Sequence, residues 1–145
     1  MRTVRLPELH CYRCIYTWHP VRSPVRMCPR CKSRLWEVPK IRPVRLGDGL
    51  GIEEVLGPHR RQILRVAHRL GARRIRVFGS VRRREADAQS DVDLLVEWTR
   101  GSSPLAGTRL ALALHSLLGR RVDVVEPGRL PWSIRPFAEA EAVPL

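Results

Sequence analysis

The sequence predicts an α/β (α+β) fold, a small sheet flanked by helices, behind a separate cysteine-rich module. Four cysteines lie near the start of the 145-residue chain. A stretch rich in Pro and Gly follows, which is a poor helix or strand former. Helical and strand-like apolar patterns then alternate to the end. We expect a cysteine module over 1–40, a linker over 41–56 and a second domain over 57–145.

Composition limits the class of protein. Apolar residues make up 43% of the chain, which is enough for a real core and excludes wholesale disorder. No apolar run approaches the roughly 20 residues that a membrane span needs. The first residues hold no apolar stretch of signal-peptide length. We therefore expect a soluble, cytoplasmic protein without a membrane partner.

The net charge of +13 is concentrated in the first third of the chain. Residues 1–47 hold eleven Lys and Arg against Glu8 and Glu37. A concentrated basic surface attracts polyanions, because phosphate binding releases condensed counterions. Only Lys32 and Lys40 are lysines, so an Arg-rich composition explains the charge as well. Nucleic-acid contact through this module and a plain solubility charge both stay open.

The cysteines form two C-x-x-C pairs, Cys11 with Cys14 and Cys28 with Cys31, with 13 residues between them. Each pair predicts a tight turn that aims two sulfurs at one point, and four thiolates suit a tetrahedral zinc. The pattern resembles a zinc ribbon. Disulfides and redox pairs are alternatives, but a reducing cytosol and the paired spacing favour zinc. A closed four-thiolate site leaves no position for substrate, so this zinc is structural.

Aromatic residues are interleaved with the cysteines. Such rings stack on nucleic-acid bases or cover a metal site, and the sequence leaves both roles open. The residues concerned are Tyr12, Tyr16, Trp18 and Trp36.

The second domain begins with a helix. Gly57 and Pro58 set up its first turn, since Pro is tolerated at the first helical position. Apolar residues recur at helical spacing, and Gly71 ends the helix. The apolar face is predicted to hold Ile63, Leu64, Ala67 and Leu70.

Strands and helices then alternate. Ile75 and Val77 alternate with arginines, and Phe78 closes the first strand. Gly79 and Ser80 turn the chain. The remaining predicted elements are a short helix over 81–88, a strand over 92–96, a helix over 105–118, a strand over 122–125 and a helix over about 131–142.

Asp91 and Asp93 lie two residues apart at the start of the second strand, so both carboxylates point to the same face. Like charges held side by side favour a cation between them, and magnesium accepts one or two carboxylates plus phosphate oxygens. Asp123 lies in another apolar strand and needs a partner there. If the two strands are neighbours, it joins the other aspartates.

Gly79 and Ser80 form a candidate phosphate-binding turn. Glycine lets the backbone approach a phosphate closely, and a serine hydroxyl can donate to it. Ten residues separate Ser80 from Asp91. Gly-Ser, ten residues, then Asp-x-Asp resembles the signature of the DNA polymerase beta-like nucleotidyltransferase superfamily.

The short domain and the segment from Gly119 to Val125 resemble the minimal nucleotidyltransferase (MNT) branch of this superfamily. The likeness runs from about residue 57 to the C-terminus and does not cover the cysteines. Arg84 stands where members of this branch often have glycine. The resemblance implies a small mixed sheet.

The resemblance also implies an enzyme that transfers a nucleotide to a hydroxyl of a protein or RNA acceptor. Asp91, Asp93 and Asp123 would hold magnesium as catalytic residues, and Gly79 and Ser80 would bind the nucleoside triphosphate, which we expect to be ATP. Members of this branch often serve as antitoxins that add AMP to a HEPN-family RNase toxin. The competing hypothesis is a zinc-ribbon nucleic-acid-binding protein with an inactive transferase scaffold.

Overall fold

The computed structural model describes residues 5–145, which divide into two compact units. The first unit extends to Arg42, and the second runs from Pro43 to Leu145. Each unit has its own core and is described by itself. In the described part of the chain, every helix is too short or too polar to cross a membrane.

The first unit contains little regular structure. Strands β1 (Leu9–His10) and β2 (Thr17–Trp18) form a two-residue antiparallel pair, and turns make up most of the remainder. Its buried residues are Cys11, Cys28 and Trp36, with the side chain of Trp18 packed against them. A core this small cannot hold a chain of this length without a further stabilising element.

The second unit is built on a mixed four-stranded sheet. The strands are β3 (Ala72–Phe78), β4 (Val92–Trp98), β5 (Val122–Val125) and β6 (Val143–Pro144). Their order is β5-β4-β3-β6; β4 runs parallel to β5, and β3 is antiparallel to both β4 and β6. The predicted α/β (α+β) class with a small mixed sheet is confirmed.

Helices flank this sheet. They are α1 (Ile52–Val55), α2 (Arg60–Arg69), α3 (Gly79–Arg82), α4 (Ala106–Leu118) and α5 (Arg135–Glu141). Helix α4 is the crossover between the parallel strands β4 and β5. The main core includes Ile63 of α2, Val77 of β3, Leu94 of β4 and Leu110 of α4, all fully buried.

The C-terminal segment forms a second, smaller core. Leu95 of β4 is buried against Leu130 and Ala138. Side chains alternate along a strand, so Leu95 faces away from Leu94. Both sides of β4 are therefore covered in its middle.

Two local expectations about the helices are wrong. Leu64, predicted on the apolar face of α2, is 39% exposed. The short helix predicted over 81–88 is instead the single turn α3, which begins at Gly79. The chain leaves the helix because Arg84 adopts a left-handed conformation, with φ of 56°.

Residues of the predicted linker 41–56 pack within the second unit. The N–H of Gly49 donates to the carbonyl of Arg84 at 2.7 Å, and Leu50 forms a strand-like bridge with Ala86. A Cβ on Gly49 would lie 2.6 Å from the carbonyl oxygen of Ala86. The glycine that disfavours regular structure in the sequence therefore permits this close backbone approach.

Arg84 joins this segment to the loop after α3. Its guanidinium donates to Glu54 at 3.0 Å, and Glu54 also accepts the Gly51 N–H at 2.9 Å to cap α1. The Arg84–Glu54 pair is about 40% exposed on both sides, so it adds little stability. The ion pair therefore offsets little of the strain that the left-handed backbone places on Arg84, a residue with a Cβ.

Substitutions of Arg84 are expected to reverse the usual order of alanine and glycine. Arg84→Gly should be more stable than Arg84→Ala by about 1 kcal/mol, because only glycine adopts a left-handed conformation without strain. Urea denaturation of both variants measures this difference.

Arg65 in the middle of α2 is the control. Its surroundings are helical, so Arg65→Ala should be more stable than Arg65→Gly by about 1 kcal/mol. Equal or greater stability of Arg84→Ala over Arg84→Gly would contradict the strain at Arg84.

Candidate functional site

The four cysteine sulfurs converge in the first unit. The Sγ atoms of Cys11 and Cys31 are 3.7 Å apart, as are those of Cys14 and Cys28, and all four lie within 4.8 Å of one another. A tetrahedral zinc with Zn–S bonds of about 2.3 Å requires S···S separations of about 3.8 Å. The geometry therefore fits a tetrahedral metal ion.

The two C-x-x-C pairs fold in the same way. The N–H of Ile15 donates to the carbonyl of Cys11 at 2.9 Å, and the N–H of Lys32 donates to that of Cys28 at 3.0 Å. Ile15 and Lys32 both have positive φ, of 58° and 61°. Two identical turns thus present their sulfurs to one point.

The thiols differ in acidity. Burial desolvates Cys28 and would raise its pKa, but N–H groups of Cys31 and Arg30 bond the thiolate and lower the pKa to about 7. Desolvation and hydrogen bonds to the neighbouring thiols raise the pKa of Cys14 to about 12. A bound cation would be needed to keep all four groups as thiolates, and thiolates select zinc over magnesium or calcium.

Aromatic rings line this cluster on one side. Trp36 is buried and packs edge-to-face on Trp18 at 5.2 Å, so these two rings cover the cysteines. Tyr16 stacks on Trp18 at 6.0 Å and is 36% exposed. The guanidinium of Arg30 lies 5.7 Å from the centre of the Tyr16 ring.

In the second unit, sheet pairing brings the predicted acidic residues together. Asp93 of β4 lies directly opposite Asp123 of β5, and opposite residues of parallel strands share a face. Asp91 precedes β4 by one residue. On the other side of β4, Asp93 pairs with Phe78, and the next residue is Gly79.

The three carboxylates repel one another. Desolvation raises the pKa of Asp93, and the charges of Asp123 and Asp91 raise it further. The nearby guanidinium of Arg83 opposes this rise. Asp93 is half-buried. A cation bound here would relieve the repulsion.

Asp91 and Asp123 share one neighbouring guanidinium. Nε of Arg121 lies 3.8 Å from Oδ2 of Asp91 and 3.5 Å from Oδ1 of Asp123. The side chain of Arg121 is 71% exposed, so these ion pairs are weak and readily exchanged.

Among the described residues, only the cysteines place three or more potential ligands within 4.8 Å of each other. The carboxylates of Asp91, Asp93 and Asp123 do not all lie this close together. Magnesium binds one or two carboxylates and takes its other ligands from water and phosphate, so two of these carboxylates would suffice to hold it.

Gly79 approaches Asp93 so closely that a side chain is excluded. A Cβ on Gly79 would overlap Oδ2 of Asp93 and lie 3.1 Å from its Cγ. Gly79 also has a φ of +77°, which favours glycine. Ser80 follows in the same turn and is partly exposed. Gly79, Ser80 and Asp93 thus lie together.

The structure adds Glu141, which sequence reasoning missed. One oxygen of its carboxylate accepts the N–H of Gly79 at 2.8 Å. Arg83 donates to the same carboxylate at 3.0 and 3.1 Å. Glu141 lies at the end of α5, remote in sequence from the turn, and no local pattern marks it.

Arg120 was also missed. Its Nη1 donates to the carbonyls of Asp87 at 2.8 Å and Ser90 at 3.0 Å. These bonds hold the loop that leads into Asp91. The sequence predicts no partner for Arg120, because its acceptors are backbone atoms of a distant loop.

Comparisons with known proteins agree with this geometry. The family model described as a nucleotidyltransferase domain matches residues 59–145. The protein adenylyltransferase MntA of Thermococcus cleftensis is 39% identical over 92 residues, which cover 63% of this chain and 90% of the relative. The predicted resemblance to nucleotidyltransferases is confirmed.

Two solved structures are similar. One, assigned as a minimal nucleotidyltransferase, is 44% identical with a TM-score of 0.58 and covers 68% of this chain and all of that chain. The other is a toxin–antitoxin structure with AMP-PNP, 20% identical with a TM-score of 0.52, covering 59% of this chain and 71% of that chain. At that identity the second shows the shared fold alone.

Asp93→Asn is expected to raise the Tm at pH 7 without added magnesium. A carboxyl group with a raised pKa binds its proton more tightly in the folded than in the unfolded state. Stability therefore falls as pH rises from the ordinary carboxyl range through the raised pKa of Asp93, and Asn removes this loss. The gain should vanish at about pH 4 and below, which thermal melts across pH measure.

Asp87→Asn is the control with the opposite sign. The pKa of Asp87 is lowered by hydrogen bonds to its carboxylate, first from the N–H of Gln89 at 2.8 Å and then from the side chain of Ser90. Its carboxylate therefore stabilises the fold above the ordinary carboxyl range, and this stability is lost as pH falls through the lowered pKa. Asp87→Asn should lower the Tm at pH 7. If the Tm at pH 7 shifted in the same direction in Asp93→Asn and Asp87→Asn, the opposite pKa shifts of the two carboxyl groups would be contradicted.

Proposed function

Because the chain belongs to the nucleotidyltransferase domain family, we propose that its second unit transfers AMP from ATP to a hydroxyl of a protein or RNA acceptor. The family makes the chain a nucleotidyltransferase; the nucleotide and the acceptor are the proposal. The observation that carries it is the pairing of Asp93 with Asp123 beside the Gly79 turn.

Asp91 and Asp93 would hold magnesium against the triphosphate, and Asp123 would complete the site. Bound magnesium would lower the pKa of the attacking hydroxyl and offset charge on the phosphates. The pairing of Asp93 with Asp123 across the sheet supports this assignment, as does the pKa of Asp93, which is raised by desolvation and by the charges of Asp123 and Asp91. The weakly held Arg121 can leave the carboxylates when a stronger cation binds.

The turn at Gly79 would bind the phosphates. The N–H of Gly79 is already bonded to Glu141, so the backbone N–H and the hydroxyl of Ser80 would be the donors to phosphate from these two residues. The missing side chain of Gly79 lets phosphate and Asp93 approach the same backbone.

The transfer itself follows from this placement. The acceptor oxygen attacks the α-phosphorus, a bond forms there, and the bond to the bridging oxygen breaks so that pyrophosphate leaves. The hydroxyl proton passes to a base, and this role of Asp123, the carboxylate next to Asp93, is the alternative to its holding the metal.

The relative named protein adenylyltransferase favours a protein acceptor. The match covers 90% of that relative's length. We propose that the acceptor is a toxin of the HEPN family and that this chain is its antitoxin. The fold shared with a chain of a toxin–antitoxin structure is compatible with this role.

In the first unit we propose a structural zinc held by the four cysteines, whose sulfur spacing supports it. Nucleic-acid binding by this unit, with the second unit inactive, is the alternative function. The exposed Tyr16 ring with Arg30 beside it favours that alternative. The placement of Asp91, Asp93 and Asp123 favours the enzyme.

Asp93→Asn is expected to lower nucleotide transfer by about a hundredfold or more, the scale on which loss of one charge-stabilising group slows catalysis. Wild-type protein, magnesium and each labelled NTP are incubated with RNA and with a co-encoded HEPN protein, and label is followed on each. Asp87→Asn should label as wild type does, because Asp87 lies outside the aspartate group.

Three outcomes would contradict the proposal or its acceptor. Labelling by Asp93→Asn at the wild-type level would show that Asp93 is not needed for the transfer. No labelling of any acceptor by the wild type, together with RNA binding that weakens steeply with salt, would favour the nucleic-acid-binding alternative. Labelling of RNA alone would exclude the toxin as acceptor.

Purified protein is expected to carry one zinc ion per chain. Cys28→Ser should lose it, because a buried thiolate is removed from the tetrahedron. Metal analysis measures the stoichiometry, and fluorescence of Trp18 and Trp36 reports the loss of the unit. A protein that is metal-free, with disulfides between the cysteines, would contradict the zinc.

A further inference from the structure

The C-terminal segment reaches the Gly79 turn through Glu141. Helix α5 ends at this residue, and its side chain is 16% exposed. The following strand β6 pairs with Val77 of β3, and the N–H of Leu145 donates to the carbonyl of Ile75 at 3.2 Å. Glu141 is therefore held between a helix and a strand that are both docked on the second unit.

Glu141 bonds three residues of the turn. Its carboxylate accepts the Gly79 N–H at 2.8 Å and Nη1 of Arg83 at 3.0 and 3.1 Å. Its backbone carbonyl accepts Nε of Arg82 at 2.8 Å. Bonds to a largely buried carboxylate are among the stronger in proteins.

These bonds fix the atoms that matter for the site. Gly79 is flexible by itself, and the bond from its N–H selects one orientation of the peptide next to Asp93. The same carboxylate holds the guanidinium of Arg83 through two hydrogen bonds. The negative charge of Glu141 itself repels the phosphates of a nucleotide, whereas it would attract a metal cation.

We propose that Glu141 is a positioning residue for nucleotide binding, which fixes the Gly79 peptide and the Arg83 guanidinium. The proposal rests on the function assigned to the second unit. The hydrogen bonds of Glu141 and its negative charge predict opposite effects of removing this residue on nucleotide binding. If placement dominates, loss of Glu141 weakens nucleotide binding; if charge dominates, the loss strengthens it.

The test is MgATP binding to the full-length chain by calorimetry, with thermal melts of every variant. Glu141→Ala is expected to raise the Kd for MgATP about tenfold or more, as loss of a charge-assisted hydrogen bond does. Glu141→Gln keeps an acceptor for Gly79 but no carboxylate for Arg83, so its Kd should lie between those of wild type and Glu141→Ala.

Glu85→Gln is the matched control. Glu85 bonds Nε of the same Arg83 at 2.8 Å but has no bond to Gly79. Its removal should leave the Kd within about twofold of wild type. In the transfer assay, Glu141→Gln should raise the KM for ATP, whereas a purely structural change would lower only the Tm.

Three outcomes would overturn the proposal. Unchanged or tighter MgATP binding by both Glu141 variants, even with a lower Tm, would leave Glu141 as a structural contact. An equal rise in Kd for Glu85→Gln would show that only charge around Arg83 matters. A wild type that binds no MgATP would remove the proposed function as well, so the two failures are distinct.

Discussion

The close approach of the Gly79 backbone to the Asp93 carboxylate is the constraint on which the site depends. It follows from the pairing of β3 with β4, which sets Phe78 opposite Asp93 and the turn directly after it. Since Asp93 also lies opposite Asp123, one residue of β4 defines the position of both the turn and the second aspartate. A one-residue slip of β4 would move Asp93 to the other face.

This arrangement lowers the stability of the fold at neutral pH, because it places the charge of Asp93 unfavourably. Asp93 is half-buried beside two like charges, and its pKa is raised first by desolvation and then by the charges of Asp123 and Asp91. The surrounding structure compensates: Val92 and Leu94 lie in the main core, and Leu95 lies beneath the C-terminal segment. The rigid middle of the strand thus holds the carboxylates at its beginning, where they are partly exposed to solvent.

Much of this was predictable because the signals are local. The C-x-x-C pairs, the Gly-Ser turn and the Asp-x-Asp strand are short patterns. Within the first unit the structure brings the four cysteines together, and within the second unit it brings Gly79, Asp93 and Asp123 together. The contacts of Glu141 and Arg120 were not predictable, because their partners are distant in sequence. Gly49 indicated a linker in the sequence, because its close approach to the backbone of Ala86 is visible only in three dimensions.

A crystal structure with magnesium and a non-hydrolysable ATP analogue tests the central claim most directly. The account predicts the triphosphate on the Gly79–Ser80 turn, with the metal between it and the carboxylates of Asp91 and Asp93 and with Asp123 facing the α-phosphate. A nucleotide bound elsewhere, or Asp123 turned away from the metal, would contradict it.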